Sequence, residues 1–292
     1  MSEERKLRLA LPKGSLQQTT FELFAKAGFD IRVAPRSYYP SINDSEIECI
    51  LIRPQEMARY IEQGVMDCGV TGLDWIIESG AAVEQLADLK APWPNYGAVR
   101  WILAVKEGSP FRVPEDLAGK RVATEVMGLT KSYFANRGIE AQLEFSWGAT
   151  EVKPPLLADA IVDVTETGSS LRANNLNVLD VLLESTPRFV ASREAAADEW
   201  KRGKMDRILM LLTAAIAAAT RVGLSMNVPR SALDAILSLL PDSSPTLSPL
   251  SDENWLDVFV IIEEEKVRDL VPLLSDAGAR VIVETPLNKI ID

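Results

Sequence analysis

The stretch DAIVDVTETGSSLRANNL, Asp159–Leu176, carries the residue types most able to do chemistry in this chain. Ala160, Ile161, Val162 and Val164 read as a buried strand with one acid, Asp163, set into it. Glu166, Thr167, Gly168, Ser169 and Ser170 then favour a turn opening into a helix. A helix start exposes N–H groups and the positive end of the helix dipole, which favours an anion by ~0.3–1 kcal/mol, or up to ~2 when partly buried. Gly168 lets the backbone approach a ligand closely, and the three hydroxyls add donors. On pattern alone two readings stay open, a phosphate cradle and a plain strand-to-helix corner with Ser169 as its N-cap.

The chain contains no histidine. That removes imidazole acid–base catalysis, His-based triads and imidazole metal ligands, and leaves carboxylates, Lys, Arg, hydroxyls, backbone amides or a bound metal ion. Cys49 and Cys68 form no close metal-type or redox-type pair and lie in apolar surroundings, so both are expected as buried free thiols of a cytoplasmic protein. The net charge of −11 and the lack of a dense basic tract speak against nucleic-acid coating. Any anionic substrate must therefore be held by a local site. Met1–Lys6 is charged and has no signal-peptide core, and the run Ile208–Ala219 falls short of the ~20 residues that span a bilayer. No membrane association is expected.

The elements that must position these residues alternate along 292 residues. Leu7, Leu9 and Leu11 alternate as in a strand, PKGS turns, and Leu16–Ala27 recurs at helical spacing up to Gly28. Glu48–Ile52 is a second strand leading into a helix at Glu56–Gln63, and Met66–Val70 a third leading into TGLD and a helix at Trp75. The pattern restarts near Gly97 with a strand at Ala98–Glu107, predicting two α/β lobes, each with a mostly parallel sheet, and a cleft between them. The chain is expected to return to the first lobe through Val181–Ser192 and then to run as one helix from Glu194 to about Ala219. The tail reads strand Arg221–Asn227, helix Pro229–Leu240, strands Thr246–Leu250 and Leu256–Ile262, helix Glu265–Asp276 and strand Arg280–Glu284. That order is the ferredoxin-like βαββαβ unit. Trp93, Trp101 and Trp147 are expected in the core or cleft wall.

An acid in the strand before a hydroxyl-rich Thr-Gly turn resembles the loop with which phosphoribosyltransferases hold phosphoribosyl pyrophosphate. Wider stretches sharpen the resemblance: LRLALPKGSL, LIRPQEMARYIEQGVMDCGVTGLDW, ADAIVDVTETGSSLRANNL and SPTLSPLSDENW, in this order, are similar to ATP phosphoribosyltransferase of the long form. The resemblance covers nearly the whole chain. It implies periplasmic-binding-protein-like α/β lobes, with lobe I at 1–97 and 181–212, lobe II at 98–180, and a ferredoxin-like regulatory domain at 213–292. The implied reaction joins N1 of ATP to C1 of phosphoribosyl pyrophosphate, the first step of histidine biosynthesis, with Mg²⁺ held mainly by substrate phosphates.

The same resemblance assigns residues. Lys13, Arg53 and Asp163 are the expected catalytic groups. Asp163, Glu166, Thr167, Gly168, Ser169, Ser170 and Leu171 are expected at phosphoribosyl pyrophosphate, with Asp163 on ribose and the turn on the 5′-phosphate. Lys13, Gly14, Gly72 and Asp74 are expected at ATP, although Asp74 reads equally well as a helix N-cap. Ser244 and Thr246 are expected at histidine, the feedback inhibitor, and a homo-oligomer from dimer to hexamer is implied. Many relatives read Lys-Gly-Arg where this chain has Ser15, which removes one basic contact. Two other readings remain, a phosphoribosyltransferase acting on a free base and a two-lobed small-ligand-binding protein. The first usually places two adjacent acids before its Thr-Gly, and here Val164 follows Asp163. The second would normally carry an export signal.

Overall fold

The computed structural model describes residues 5–93, 96–241 and 244–291. The first four residues of the charged start, and Pro94 and Asn95 of the Pro-rich connection, lie outside them. Two compact units result, one formed by Phe29–Arg207 with the residues up to Ala25, the other by Ile208 onward with Lys26–Gly28.

Two five-stranded sheets build the first unit. The first lobe begins with β1 (Leu7–Pro12), α1 (Gln17–Ala27), the short β2 (Ile31–Arg32) and β3 (Ser41–Ile42), and β4 (Ile47–Ile52). It continues with α2 (Pro54–Glu62), β5 (Cys68–Gly72), α3 (Leu73–Ser79) and β6 (Glu84–Asp88). Leu7, Leu9 and Leu11 are fully enclosed, as their alternation requires. The second lobe holds β7 (Val99–Lys106), β8 (Arg121–Thr124), α4 (Met127–Ala135), β9 (Gln142–Phe145), β10 (Ala160–Thr165), α5 (Ser169–Ala173) and β11 (Leu176–Ser185). The chain then re-enters the first sheet as β12 (Pro187–Ala191), giving the orders β4-β1-β5-β12-β6 and β11-β7-β10-β8-β9.

Neither sheet is mostly parallel. β12 runs antiparallel to β5 and β6, and β7 runs antiparallel to β10 and β11. The reason is the route. A parallel neighbour needs a crossover helix on the same sheet, whereas β7 and β12 arrive directly from the other lobe. The expected return at residue 181 is also corrected: β11 stays paired with β7 as far as Ser185, so the crossing falls at Thr186. Its irregular alternation, interrupted by register shifts near Asp180 and Val181, hid this strand from a period-two pattern.

The single helix expected from Glu194 to Ala219 is two, α6 (Arg193–Ala197) and α7 (Glu199–Ala217). Asp198 between them is extended, with ψ 118°, and its Oδ1 accepts the Lys201 N–H at 2.8 Å. It caps α7, a role that helix-favouring composition conceals. Near the start of α7, Lys201 reaches the buried Asp67, which also accepts the Arg8 guanidinium and amide. Burial alone would push the Asp67 carboxyl up, but the bonds from Arg8 and Lys201 outweigh it and hold the group below the usual carboxylate range.

The second unit contains β13 (Arg221–Pro229), α8 (Leu233–Leu239), β14 (Thr246–Pro249), β15 (Trp255–Glu263), α9 (Glu264–Asp276) and β16 (Arg280–Pro286), in the sheet order β14-β15-β13-β16. This is the ferredoxin-like order. Val222, Leu224, Met226 and Val228 alternate onto one face with Val258, Val260 and Ile262, and Ile236 and Leu274 of the helices cover that face. Pro229 does not open the first helix of the unit. It closes β13 opposite Trp255, and a 3₁₀ turn at Arg230–Ala232 precedes α8.

Both cysteines are buried and unbonded, and burial pushes the Cys49 thiol up to about 12. Among the described residues no helix is long and apolar enough to cross a membrane.

At the centre of the first sheet, a Cβ on Gly69 would lie 2.7 Å from the Ala10 carbonyl oxygen and 2.9 Å from Met57 Sδ. Gly69→Ala is therefore expected to lower unfolding stability by ~1–3 kcal/mol, the usual cost of overpacking. Chemical denaturation checks this, and an unchanged midpoint would show that β1 and β5 can separate freely.

Candidate functional site

A cavity of about 530 Å³ opens between the two sheets of the first unit. From the first lobe it is lined at the ends of β1, β4 and β5, and from the second by β7 and the ends of β8 and β10. Ends of strands are where α/β folds expose backbone and loops to ligands.

Lys13 and Arg53 meet because β1 and β4 are parallel and in register. Pro12 lies opposite Ile52, so the residue after each strand projects at the same level, and the Lys13 amide donates to the Ile52 carbonyl at 2.9 Å. The Lys13 ammonium stands 3.5 Å from the Tyr38 ring centroid. Its hydrogen bond, and then its charge, lower the Tyr38 phenol from its ordinary value. Gly14 follows with φ 120° and open space around it, so backbone is presented to the cavity there. Sequence reasoning missed Tyr38, which sits in a loop with no periodicity to mark it.

Asp74 lines the cavity and is 5% exposed. Its Oδ1 accepts from Ser185 Oγ at 2.9 Å and from the Trp75 amide at 3.0 Å. Its Oδ2 accepts from Trp101 Nε1 at 2.8 Å, and its own amide donates to Ser185 Oγ at 3.0 Å. The N-cap reading is thus corrected: α3 starts at Leu73 with Gly72 as N-cap and no side-chain cap. Gly72 is required beside Asp74, because a Cβ there would fall 2.0 Å from Asp74 Oδ1.

On β10 the alternation separates two sets. Ala160 and Val162 pack with Trp101 and Leu103, while Ile161 packs with Ala104 and Leu171 on the other face. Val164 and Glu166 line the cavity, and Asp163 projects to the Ile161 side, which α5 shares. Burial, against a bond from the Val164 amide and with Glu151 and Glu125 nearby, pushes the Asp163 carboxyl up to about 6.

Gly168 adopts φ 72° and caps α5 in place of Ser169, its amide donating to Thr165 Oγ1 at 2.9 Å. Thr167, Ser169 and Ser170 are exposed. They lie beyond the cavity lining, reached from it through Glu166. The side chain of Leu171 is 6% exposed and belongs to the lobe core, so only its backbone faces the turn. α5 spans five residues, so its dipole is weak.

Trp101 is buried and walls the cleft, as expected, whereas Trp147 is 94% exposed and edges onto Phe145. Ser244 and Thr246 are exposed in the second unit, Thr246 on the edge strand β14. Glu125 and Ser185 are cavity residues that sequence reasoning did not single out. Glu125 directly follows β8, and the strand-end rule that selected Arg53 applies to it as well.

Residues 53–214 match the family described as ATP phosphoribosyltransferase, and residues 218–289 match one described as HisG, C-terminal domain. The ATP phosphoribosyltransferase of Thermodesulfovibrio yellowstonii is 53% identical over 290 residues, covering 99% of each chain. That of Solibacter usitatus is 54% identical, covering 98% of this chain and 99% of its own. Among solved structures, a chain of the ATP phosphoribosyl transferase (HisG:HisZ) complex from Thermotoga maritima matches with a TM-score of 0.61 and 27% identity, over 71% of this chain and 98% of its own. With two parallel strand ends presenting Lys13 and Arg53 to the cleft, and relatives alike over their full length, this chain belongs to the ATP phosphoribosyltransferase family.

Proposed function

We propose that the cleft brings ATP and phosphoribosyl pyrophosphate together, so that adenine N1 attacks ribose C1. The N1–C1 bond forms as the bond from C1 to pyrophosphate breaks, with inversion, and N1-(5-phospho-β-D-ribosyl)-ATP and pyrophosphate leave. N1 already carries an in-plane lone pair, so no histidine or strong base is needed to create the nucleophile. The barrier lies in parting a cation-like ribose from a polyanion, and fixed positive charge lowers it. The observation that carries this reading is the pair Lys13 and Arg53 on one wall of the cavity, with the approach to the hydroxyl-rich turn through Glu166 on the other.

In this reading Lys13 and Arg53 stabilise the departing pyrophosphate. Thr167, Ser169, Ser170 and the backbone amides of Ser169 to Leu171 hold the 5′-phosphate, Gly168 lets the backbone approach it, and Asp163 binds ribose hydroxyls from the same face. ATP lies along Gly14 and Gly72, and Asp74 shapes that wall while its oxygens stay on Ser185 and Trp101. Among the described residues no cluster of three metal-ligating side chains occurs. Mg²⁺ is assigned as a companion of the pyrophosphate oxygens, its usual mode of binding. The second unit, with Ser244 and Thr246, is read as the site of histidine inhibition in a cytoplasmic homo-oligomer.

The deciding experiment mixes the purified chain with ATP, phosphoribosyl pyrophosphate and Mg²⁺ and follows the ultraviolet change of N1 ribosylation, with and without histidine. Turnover that histidine slows is expected. Turnover with a free base and none with ATP would overturn the reading.

Gly168→Val is expected to abolish phosphoribosyl pyrophosphate binding with the fold intact. A side chain at φ 72° is strained, and a Cβ there already lies 3.2 Å from Arg172 Nη1. Calorimetric titration with that substrate checks it, and unchanged binding would return the turn to a structural corner.

The raised Asp163 value has a definite sign. The folded chain binds this proton more readily than the unfolded one, so the charged carboxylate opposes folding above about pH 6 and the effect vanishes below the unfolded group's ~3.9. Asp163→Asn is expected to add ~1–3 kcal/mol of stability near pH 8 and almost none near pH 4. The same variant should weaken phosphoribosyl pyrophosphate, and the wild-type affinity should fall as pH drops through about 6. Thermal unfolding at the two pH values tests this, and equal shifts at both would exclude the charge as the cause.

A further inference from the structure

The helix α3 grows out of β5 and packs on α2 in the first lobe, yet the hydrogen bonds that its Asp74 and Glu78 make with other elements are with the second. At its first turn Asp74 accepts the Trp101 indole N–H, and Trp75 packs on the second-lobe core with its ring edge-on to Trp101, centroids 5.9 Å apart at 87°. At its last turn Glu78 reaches α4. Glu78 Oε1 accepts the Gly128 amide at 3.0 Å and Oε2 the Leu129 amide at 2.9 Å. Those are first-turn amides of a helix whose own N-cap, Val126, supplies no capping side chain. The cap comes from the opposite lobe. Gly128 admits it, since a Cβ there would lie 3.2 Å from both the Glu78 carbonyl oxygen and Oε2.

We propose that Glu78 is a positioning residue for the transfer reaction, holding the two lobes at the angle that sets Lys13 and Arg53 against the turn after β10. It lies outside the cavity lining and touches neither substrate site. Its carboxylate takes two charge-assisted bonds and complements the positive end of α4, so both geometry and charge favour this arrangement of the lobes. With the Asp74–Trp101 bond at one end and the Glu78 cap at the other, α3 acts as a bracket two turns long. Loss of the cap leaves α3 held to the second lobe only at its first turn, through Asp74 and Trp75, so its far end no longer fixes the angle between the lobes. Substrates that bridge the lobes then meet their partners in fewer of the available arrangements.

This inference rests on the proposed reaction, and the test separates the two. Cysteines placed at Arg59 on α2 and at Glu144 on β9, both exposed, carry spin labels, while the native Cys49 and Cys68 are buried. Dipolar distances are measured on the full chain diluted with unlabelled protein, alongside steady-state kinetics. In Glu78→Ala the interlobe distance distribution is expected to broaden and lengthen, and KM for both substrates to rise about tenfold with a smaller change in kcat, since apparent affinity falls with the fraction of molecules whose lobes are set to bind both. Glu78→Gln keeps one acceptor oxygen for the amides and should fall between parent and Glu78→Ala in both readouts. A merely structural residue would lower the amount of active enzyme and leave KM and the distances of the folded fraction unchanged, and that result overturns the proposal. If Glu78→Ala does not fold, the Gln variant decides by the same criteria. If the parent chain forms no product, the proposed reaction fails, and the label distances alone decide the bracket.

Discussion

Asp74 is almost fully enclosed at the back of the cleft, and a carboxylate in that setting is tolerable only where donors meet its oxygens. Its partners are the indole of Trp101 on β7 and the hydroxyl of Ser185 at the end of β11, together with the Trp75 amide. β7 and β11 are the strands on which the chain enters and leaves the second lobe. One side chain therefore ties both crossings to the first turn of α3. Removing a donor would strand a buried charge, so the cleft wall and the lobe connection are fixed by the same bonds.

Around that tie the cavity is organised by sign. The chain is strongly acidic, so the field of the whole molecule does not gather anions. Positive charge in the cavity lining sits at the ends of β1 and β4, where parallel pairing places Lys13 and Arg53 side by side. Tyr38 adds a ring face to the Lys13 ammonium. The opposite wall carries Glu125 and Glu166, and acids there suit a ligand that offers sugar hydroxyls on one side and phosphate on the other. A bare phosphate would be repelled from that wall.

The loop after β10 shows how far local pattern reaches. Strand, acid, turn and hydroxyls were all legible, because each depends on neighbours within a few residues. The side of the sheet taken by Asp163 also follows from the two-residue period, once Val162 is known to pack on Trp101. The role of Leu171 was not legible. Its place in the motif suggests the ligand, but its side chain is part of the core shared with Ile161 and Leu176. Trp147 shows the converse: an aromatic expected in the core or cleft wall stands in solvent beside Phe145.

The amino-acid order by itself determined the strand–helix alternation, the positions of most elements, the tail's βαββαβ order and the turn motif. These are set by side-chain period, by glycines at helix ends and by hydroxyls at a corner, all of them short-range properties. Only the tertiary structure decided that β7 and β12 run antiparallel, that Asp198 breaks one helix into two, that Asp74 answers Trp101 and Ser185, and that Glu78 caps a helix of the other lobe. Asp74 and Ser185 stand 111 positions apart, and Glu78 and Gly128 stand 50 apart. No local pattern encodes such pairs. They form because burial brings distant polar groups together where water cannot serve them, and each must then find its partner within the fold.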